Sequence, residues 1–462
     1  MKAPRFGIID AFLLPLVLAA AGGIRAGYLH TCVKEGRELP FQVQDEQTAI
    51  TLLADSDSPA GPLNPQSALV DNIRRYGAFS CKAPLADMEE QTAHVAPAYP
   101  WLVGSLAGWL EDADRATQAI RWAQCVLGSL TAGLYFLFAR RVFANPVVAL
   151  LAGLLTAIHP FWIVNTAELQ DGTLTCFLLG CCLWLGTAGA QRGGPLTSLL
   201  FGLALAAMAL TRAALLPYAF IACLWYLLSC RSLPRGWVCA LLAFLGFANG
   251  LAPWMVRNVR AFGEVVPITD TLYLHLWMGS NSRATGGPQP EAVLRETLPE
   301  ERLKTVLAEP NQARRYGMLA HDLKAVAEDN PTGVVEKRLR AAVCFVFGAA
   351  WLNDYQLVRT SLPLDLPREL SEGIPLALRV ALLFLLVAGP LGWRWSYGWR
   401  RGANLGSLAL LWVPLPYILS HADYLSGSRL PLDGILLMFA AFALAWMLPP
   451  VARLVFPESE GE

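Results

Sequence analysis

TLTCFLLGCCLWLGTAGA, residues Thr173 to Ala190, runs eighteen positions without a charged side chain; Glu168-Leu169-Gln170-Asp171 precedes it and Arg192 follows it. A helix rises about 1.5 Å per residue and the hydrocarbon core of a bilayer is about 30 Å thick, so about 20 apolar residues cross it. Within hydrocarbon a single segment satisfies its own backbone N–H and C=O groups only as a helix. The stretch therefore reads as a transmembrane helix with an acidic turn at one end and an arginine at the other.

The pattern repeats in both directions. Of 462 residues 55% are hydrophobic and 16% charged, and the apolar residues come in long blocks, the composition of an integral membrane protein. We expect an all-α polytopic fold of about ten spans, at Phe6 to Ile24, Thr117 to Ala139, Val147 to Val164, Thr173 to Ala190, Leu196 to Leu210, Ala213 to Ser229, Trp237 to Met255, Pro375 to Leu391, Leu405 to Ser420 and Leu430 to Leu448. The formal net charge of zero says nothing about partners; the lipid bilayer is the expected one, and no nucleic acid is expected.

Basic residues orient the spans, because short cytoplasmic loops hold an excess of Lys and Arg. With both termini in the cytoplasm, Lys2 and Arg5, Arg140 and Arg141, Arg192, Arg231 and Arg235, Arg394 with Arg400 and Arg401, and Arg453 all fall inside. Arg212 and Arg429 fall outside against this rule, which makes them candidates for binding an anion. Ala341 to Leu352 is apolar but short and reads as an interfacial helix; counting it as a span inverts every later loop. Phe6 to Ile24 reads as a retained anchor, with a cleaved signal peptide as the alternative. Asp10, inside that run, snorkels or pairs with Arg5.

Three regions follow: residues 1–256 as an N-terminal transmembrane module that includes the long outer loop 25–116, residues 257–374 as a small outer domain, and 375–462 as C-terminal spans with a short cytoplasmic tail. Most cysteines sit in or beside spans, where thiols act as small hydrophobes. Cys32 and Cys81 share the first outer loop, where an oxidising compartment permits a bridge. His159-Pro160-Phe161-Trp162, Trp277, Tyr417, His421 and Tyr424 read as an interfacial aromatic belt.

The chemistry is sought on the outer side. Gln42-Val43-Gln44-Asp45-Glu46-Gln47 places two adjacent carboxylates just after the first span, able to bind a hydroxyl acceptor, take its proton or hold a cation. Glu168 and Asp171, three apart, are expected on one helix face at the outer end of a span, as ligands for acceptor or metal or as a helix cap. Carboxylates alone suit Mg or Mn, so a divalent cation is compatible, and the metal is unassigned. Ala96-Pro97-Ala98-Tyr99-Pro100 leads into Trp101 to Leu110, an amphipathic stretch suited to the headgroup layer.

In order along the chain, Asp45-Glu46, the Ala96 to Pro100 turn, Glu168 to Asp171, Leu210-Thr211-Arg212, Pro253-Trp254-Met255-Val256-Arg257-Asn258, Phe262-Gly263, Val266-Pro267, the loop Gly279 to Gly286 and Ser428-Arg429-Leu430-Pro431 resemble the GT-C superfamily of polyprenyl-phosphate-dependent glycosyltransferases. The protein O-mannosyltransferase and aminoarabinose-transferase branch, in its bacterial form, is the nearest likeness. The resemblance implies an enzyme of the inner membrane with a periplasmic active site, which moves a sugar from a polyprenyl-phosphate donor to a hydroxyl acceptor with inversion. It implies Asp45 as general base, with Glu46 orienting it, binding a cation or merely hydrated. It implies Arg212, Arg257 and Arg429 as cations for the leaving phosphate, supplemented by His94 or Lys82, since this chain has His94 where some relatives carry lysine. The rival reading is a transporter or flippase for a lipid-linked sugar or other solute.

Overall fold

Long apolar runs close their hydrogen bonds locally, and in the computed structural model of the protein the described residues of each of the ten lie in a helix or a broken helix pair. The structure describes residues 7–32, 65–82, 85, 88–110, 112–231, 233–287, 292–347, 368–396, 404–422 and 428–447. In order, the bundle helices and their neighbours are α1 (Ile8–Cys32), α2 (Pro65–Tyr76), α3 (Ala98–Leu110), α4 (Ala113–Phe143), α5 (Pro146–Ile158), α6 (Pro160–Asn165), α7 (Gly172–Arg192), α8 (Pro195–Thr211), α9 (Leu216–Cys230) and α10 (Gly236–Phe262). Short helices follow: α11 (Leu272–Met278), α12 (Ala292–Thr297), α13 (Glu300–Leu307), α14 (Gln312–Gly317), α15 (Leu319–Asp329) and the longer α16 (Pro331–Phe347). The chain returns to the bundle with α17 (Arg368–Trp395), α18 (Asn404–Trp412), α19 (Pro414–Leu419) and α20 (Leu430–Met447). Strands β1 (Ser80–Cys81) and β2 (Glu90–Gln91) form one small antiparallel pair between α2 and α3.

Among the described residues six helical segments are long and apolar enough to cross a membrane: Ile8–His30, Ala113–Phe143, Gly172–Arg192, Ala213–Cys230, Gly236–Phe262 and Leu430–Met447. Pro146–Ile158, Pro195–Thr211 and Asn404–Leu419 are apolar but shorter. Prolines explain two interruptions. The ring of Pro160 cannot continue α5, so the expected third span divides at His159, and Pro414 divides the ninth.

Local chemistry sets the ends. Asn145 accepts from the amides of Val147 and Val148 at 2.8 and 3.2 Å, and Pro146 takes the first helical position, where no N–H is needed. Gly193 and Gly263 close α7 and α10 in the left-handed conformation, φ 69° and 67°, that a side chain resists. Small residues bring helices together: a methyl on Gly202 of α8 would overlap the Ala243 carbonyl of α10, and one on Gly246 would press on the Leu199 carbonyl.

Two ends of the bundle differ in content. At one, Asp10 is buried and pairs with Arg140 at 2.7 Å, while Arg5, its expected partner, lies outside the described residues; Arg141 reaches Gln191 nearby. A carboxylate sealed in the bundle wall needs compensation for lost hydration, which Arg140 supplies together with the Gly7 amide, donating to Oδ2 at 2.9 Å. At the other end meet the C-termini of α1, α5, α8 and α10 and the N-termini of α4, α7, α9 and α20. Here Arg25, fully buried, caps the C-terminus of α5 by donating to the carbonyls of Thr156 (3.4 Å) and Ala157 (3.1 Å).

The short helices after α10 surround a separate hydrophobic cluster of Leu85, Leu274, Trp277, Met278, Val306 and Tyr316. The loop from Gly279 to Gly287 is clamped to them by α16. Lys337 donates to the carbonyls of Ser280 (3.1 Å) and Asn281 (2.8 Å), and Arg338 to those of Gly279 (3.1 Å) and Ser420 (2.8 Å). That loop is thus a joint between α16 and the end of α19, and Gly286 (φ 91°) lets it turn against the α16 backbone. The interfacial helix expected at Ala341 to Leu352 begins earlier, as α16, because Pro331 supplies its first turn; residues 348–352 lie outside the described residues.

Candidate functional site

Asp45 and Glu46 lie outside the described residues. What the structure assembles is the ground around them, beginning with the turn between α6 and α7. The sequence Thr166 to Asp171 forms bends, not helix, so Glu168 and Asp171 do not share a helix face as expected. Three bonds from α4 hold the turn: Gln124 Nε2 donates to the carbonyls of Thr166 (2.9 Å) and Glu168 (2.7 Å), and Arg121 Nε to that of Ala167 (2.9 Å). Tyr99 of α3 donates its hydroxyl to Gln124 Oε1 at 2.8 Å. Burial pushes the Tyr99 phenol well above its ordinary range, and the nearby carboxylates of Asp171 and Glu168 push it the same way.

The two acids then part. Glu168 is buried, whereas Asp171 stands at the N-cap position of α7 without accepting from a backbone amide. Its carboxylate instead takes a two-bond fork from Arg212, Nε to Oδ2 at 2.8 Å and Nη2 to Oδ1 at 2.6 Å. Arg212 sits where α8 ends, so the expected acid and the expected cation form one unit. Such a fork fixes the guanidinium plane as well as its charge.

Arg429 repeats the theme one helix away. From the turn just before α20 it donates Nε to Asp433 Oδ1 at 2.9 Å, and it also donates to the Val346 carbonyl. Asp433 Oδ2 lies 3.6 Å from His159 Nε2. All three side chains are buried. His159, set aside above as part of an aromatic belt, is therefore inside the bundle beside a carboxylate, and Trp277 likewise is buried and donates to Thr297.

Arg257, His94 and Lys82 are placed differently. Arg257 donates to the carbonyls of Thr92 (2.8 Å) and Phe79 (3.0 Å) and lies over the rings of Phe79, Trp254 and Phe262, with the Trp254 centroid at 4.8 Å. Its geometry fastens the end of α10 to the β1–β2 hairpin. Lys82, just after β1, is exposed. His94 is buried where three segments converge: its amide donates to Thr92 Oγ1 (2.9 Å), its Nδ1 faces the Tyr316 hydroxyl at 3.5 Å, and the Asp270 amide donates to the neighbouring Ala93 carbonyl at 3.3 Å. Sequence reasoning missed Asp270 and His275 and placed His421 in the aromatic belt. His275 Nδ1 and His421 Nε2 lie 3.2 Å apart, and the signal for Asp270 and His275 was only an isolated polar residue, one in a loop and one in α11. Among the described residues no three of His, Cys, Asp or Glu converge to hold a metal.

Apolar helices long enough to span a bilayer, with paired arginines and carboxylates gathered at one end, define the class: a helical membrane protein. Residues 94–256 match the family model of the dolichyl-phosphate-mannose-protein mannosyltransferases, a segment that starts at His94 and takes in Glu168, Asp171 and Arg212. The fold is similar to that of the Archaeoglobus fulgidus oligosaccharyltransferase in its apo form, at 13% identity and TM-score 0.50, over 94% of this chain and 50% of that one. It is similar as well to the same enzyme tethered by a disulfide to an acceptor peptide containing the NVT sequon, at 11% identity and TM-score 0.50, over 94% and 49%. The A. fulgidus oligosaccharyltransferase AglB in complex with an inhibitory peptide and a dolichol-phosphate aligns at 11% identity and TM-score 0.48, over 95% and 51%. The chain thus spans about half the length of these structures. A comparison with curated proteins finds no match.

Proposed function

We propose that this protein is an inverting glycosyltransferase that moves a sugar from a polyprenyl-phosphate donor to a hydroxyl acceptor at the extracytoplasmic surface of the inner membrane. The observation that carries the reading is a coincidence of place. The segment matching the mannosyltransferase model is the one that folds the Glu168–Asp171 turn against Arg212. That a neighbour of similar fold was solved with a tethered acceptor peptide agrees with a site that receives an acceptor.

In the proposed reaction the acceptor hydroxyl loses its proton to Asp45 as its oxygen attacks the anomeric carbon. The anomeric C–O bond to phosphate breaks with inversion, and polyprenyl phosphate leaves with the bonding pair. Positioned acid-base help of this kind is worth about 10² to 10⁴ in rate. The remainder falls to charge stabilisation by cations fixed beforehand, which is what the Asp171 fork does for Arg212 and Asp433 does for Arg429. A divalent cation, if used, has Glu46, Glu168 and Asp171 as its candidate ligands.

The test is transfer by purified protein from radiolabelled polyprenyl-phosphate sugars into a membrane extract. Asp45→Asn abolishes label transfer while the protein is made and folds normally. Undiminished transfer by that variant refutes the assignment, and a transporter, the rival reading, moves the lipid without covalent transfer.

A further inference from the structure

Pro160 breaks the third apolar run, and His159 is the residue left at the break. It stands between α5 and α6, and its side chain makes no capping bond there. The ring is buried, and both of its nitrogens are sealed without a hydrogen-bond partner among the described residues. Nε2 lies 3.6 Å from Asp433 Oδ2, an oxygen in the same condition, while Asp433 Oδ1 accepts from Arg429 Nε at 2.9 Å. Of the Arg429 guanidinium, Nη1 donates to the Val346 carbonyl, and Nη2 is sealed without a hydrogen-bond partner among the described residues. The three side chains form a row, imidazole to carboxylate to guanidinium, that ends on an unused donor. The packing of α6 against α20 does not depend on this row. Trp162 Nε1 already donates to the Leu430 carbonyl at 3.0 Å, and Arg25 closes the end of α5. Ionisable groups buried in a helical bundle often cost more than apolar side chains of the same size, so packing alone does not account for three of them together.

We propose that His159 is a positioning residue for Arg429: by donating Nε2–H to Asp433 Oδ2 it fixes the carboxylate that orients the guanidinium, and Arg429 meets the phosphate of the lipid-linked donor through Nη2. The phosphate half of this statement rests on the function proposed above. A movement of about 0.7 Å turns the present separation into an ordinary hydrogen bond of about 2.9 Å. Bonds of this kind commonly tighten when a site is filled. The role asks for the neutral imidazole with its proton on Nε2, which satisfies the second carboxylate oxygen and adds no charge beside Arg429. An imidazolium there would compete with Arg429 for the same carboxylate and loosen the guanidinium it is meant to hold.

The test compares binding of decaprenyl phosphate with binding of decaprenol, the same chain without the charge, on the whole protein in nanodiscs. His159→Phe fills the space without supplying a donor. It should weaken decaprenyl phosphate binding about tenfold, a coupling in the range found for side chains of one network, and leave decaprenol binding and the unfolding temperature unchanged. His159→Gln, whose side-chain amide reaches where Nε2 stands, should bind the phosphate within about twofold of wild type. In an Arg429→Gln background His159→Phe should cause no further loss. Equal loss of phosphate and alcohol binding, equal loss in the Arg429→Gln background, a glutamine variant no better than phenylalanine, or no loss at all overturns the proposal. If His159→Phe does not fold, His159→Leu takes its place, and failure of both to fold marks a structural residue and overturns the proposal as well. Wild-type protein that binds decaprenyl phosphate no better than decaprenol refutes the donor reading and the proposal with it. A wild-type preference for the phosphate that His159→Phe leaves intact refutes the role of His159 alone.

Discussion

Asp171 gives Arg212 an orientation as well as a neutralising charge. Both bonds of the fork depend on the planar guanidinium, which an ammonium does not reproduce. Arg212→Lys therefore keeps the charge and loses the geometry; we expect turnover at saturating donor to fall by about 10² to 10³, the usual effect of removing one preorganised electrostatic group, with protein yield unchanged. A variant that keeps wild-type turnover places Arg212 outside the reaction. Asp270 carries a second prediction at this scale. Burial, ahead of the opposing attraction of His94, raises its folded value from 3.8 to about 6. The protonated carboxyl is the form the fold prefers, so its contribution is fully present below pH 3.8 and is lost as pH rises through 6. Two pH units correspond to about 3 kcal/mol. Asp270→Asn should then unfold later than wild type at pH 7.5 and no later at pH 4, as followed by thermal unfolding in detergent. These pairings were not legible in the sequence: Asp171 and Arg212 are each visible as misplaced charges, but their meeting across 41 positions depends on how α7 and α8 pack.

At the scale of elements the sequence says more. Unbroken apolar length dictates helices, and all ten expected runs lie in them, because no other local structure satisfies the backbone there. Ends were legible only where a residue enforces them, as Asn145-Pro146 and Gly193 do; α4 instead extends to Ala113–Phe143, carried beyond its apolar part by the capping side chain of Asp112. The Glu168 to Asp171 turn was misread as helix because its cause is tertiary, the bonds from Gln124 and Arg121 on α4. Helix packing likewise depends on spacing that single positions set. Gly202 and Gly246 permit backbone contact between α8 and α10, so Gly202→Leu must separate helices that carry Arg212 and Arg257 at their ends. Overpacking of this kind costs about 1–3 kcal/mol or more. We expect a lowered unfolding temperature and lost transfer together, whereas Gly23→Leu, with nothing near its missing side chain, should alter neither; equal tolerance at both positions contradicts the packing.

For the whole molecule, charge distribution and fold make one claim about sidedness. Arg140, Arg141 and Arg192 gather at the end of the bundle that holds Asp10, and Arg212, Arg257 and Arg429 at the other. Those at the first end lie near helix termini, as cytoplasmic anchors do, with Arg140 also held by Asp10. Those at the second are each bound to a carboxylate or to backbone carbonyls, so they read as site residues instead of anchors. Sidedness is therefore predicted with the Asp10 end in the cytoplasm. Single cysteines in a background lacking reactive thiols test it in intact cells with a membrane-impermeant reagent: a cysteine at Arg192 should be protected until the membrane is opened, and one at Lys82, exposed beside the β1–β2 hairpin, should react at once. The reverse pattern puts the arginine–carboxylate end in the cytoplasm, where nucleotide sugars are available and a lipid-linked donor loses its rationale. A mixed pattern, with both positions reactive from outside, breaks the odd number of crossings that must separate residue 82 from residue 192 and so refutes the span assignment between them.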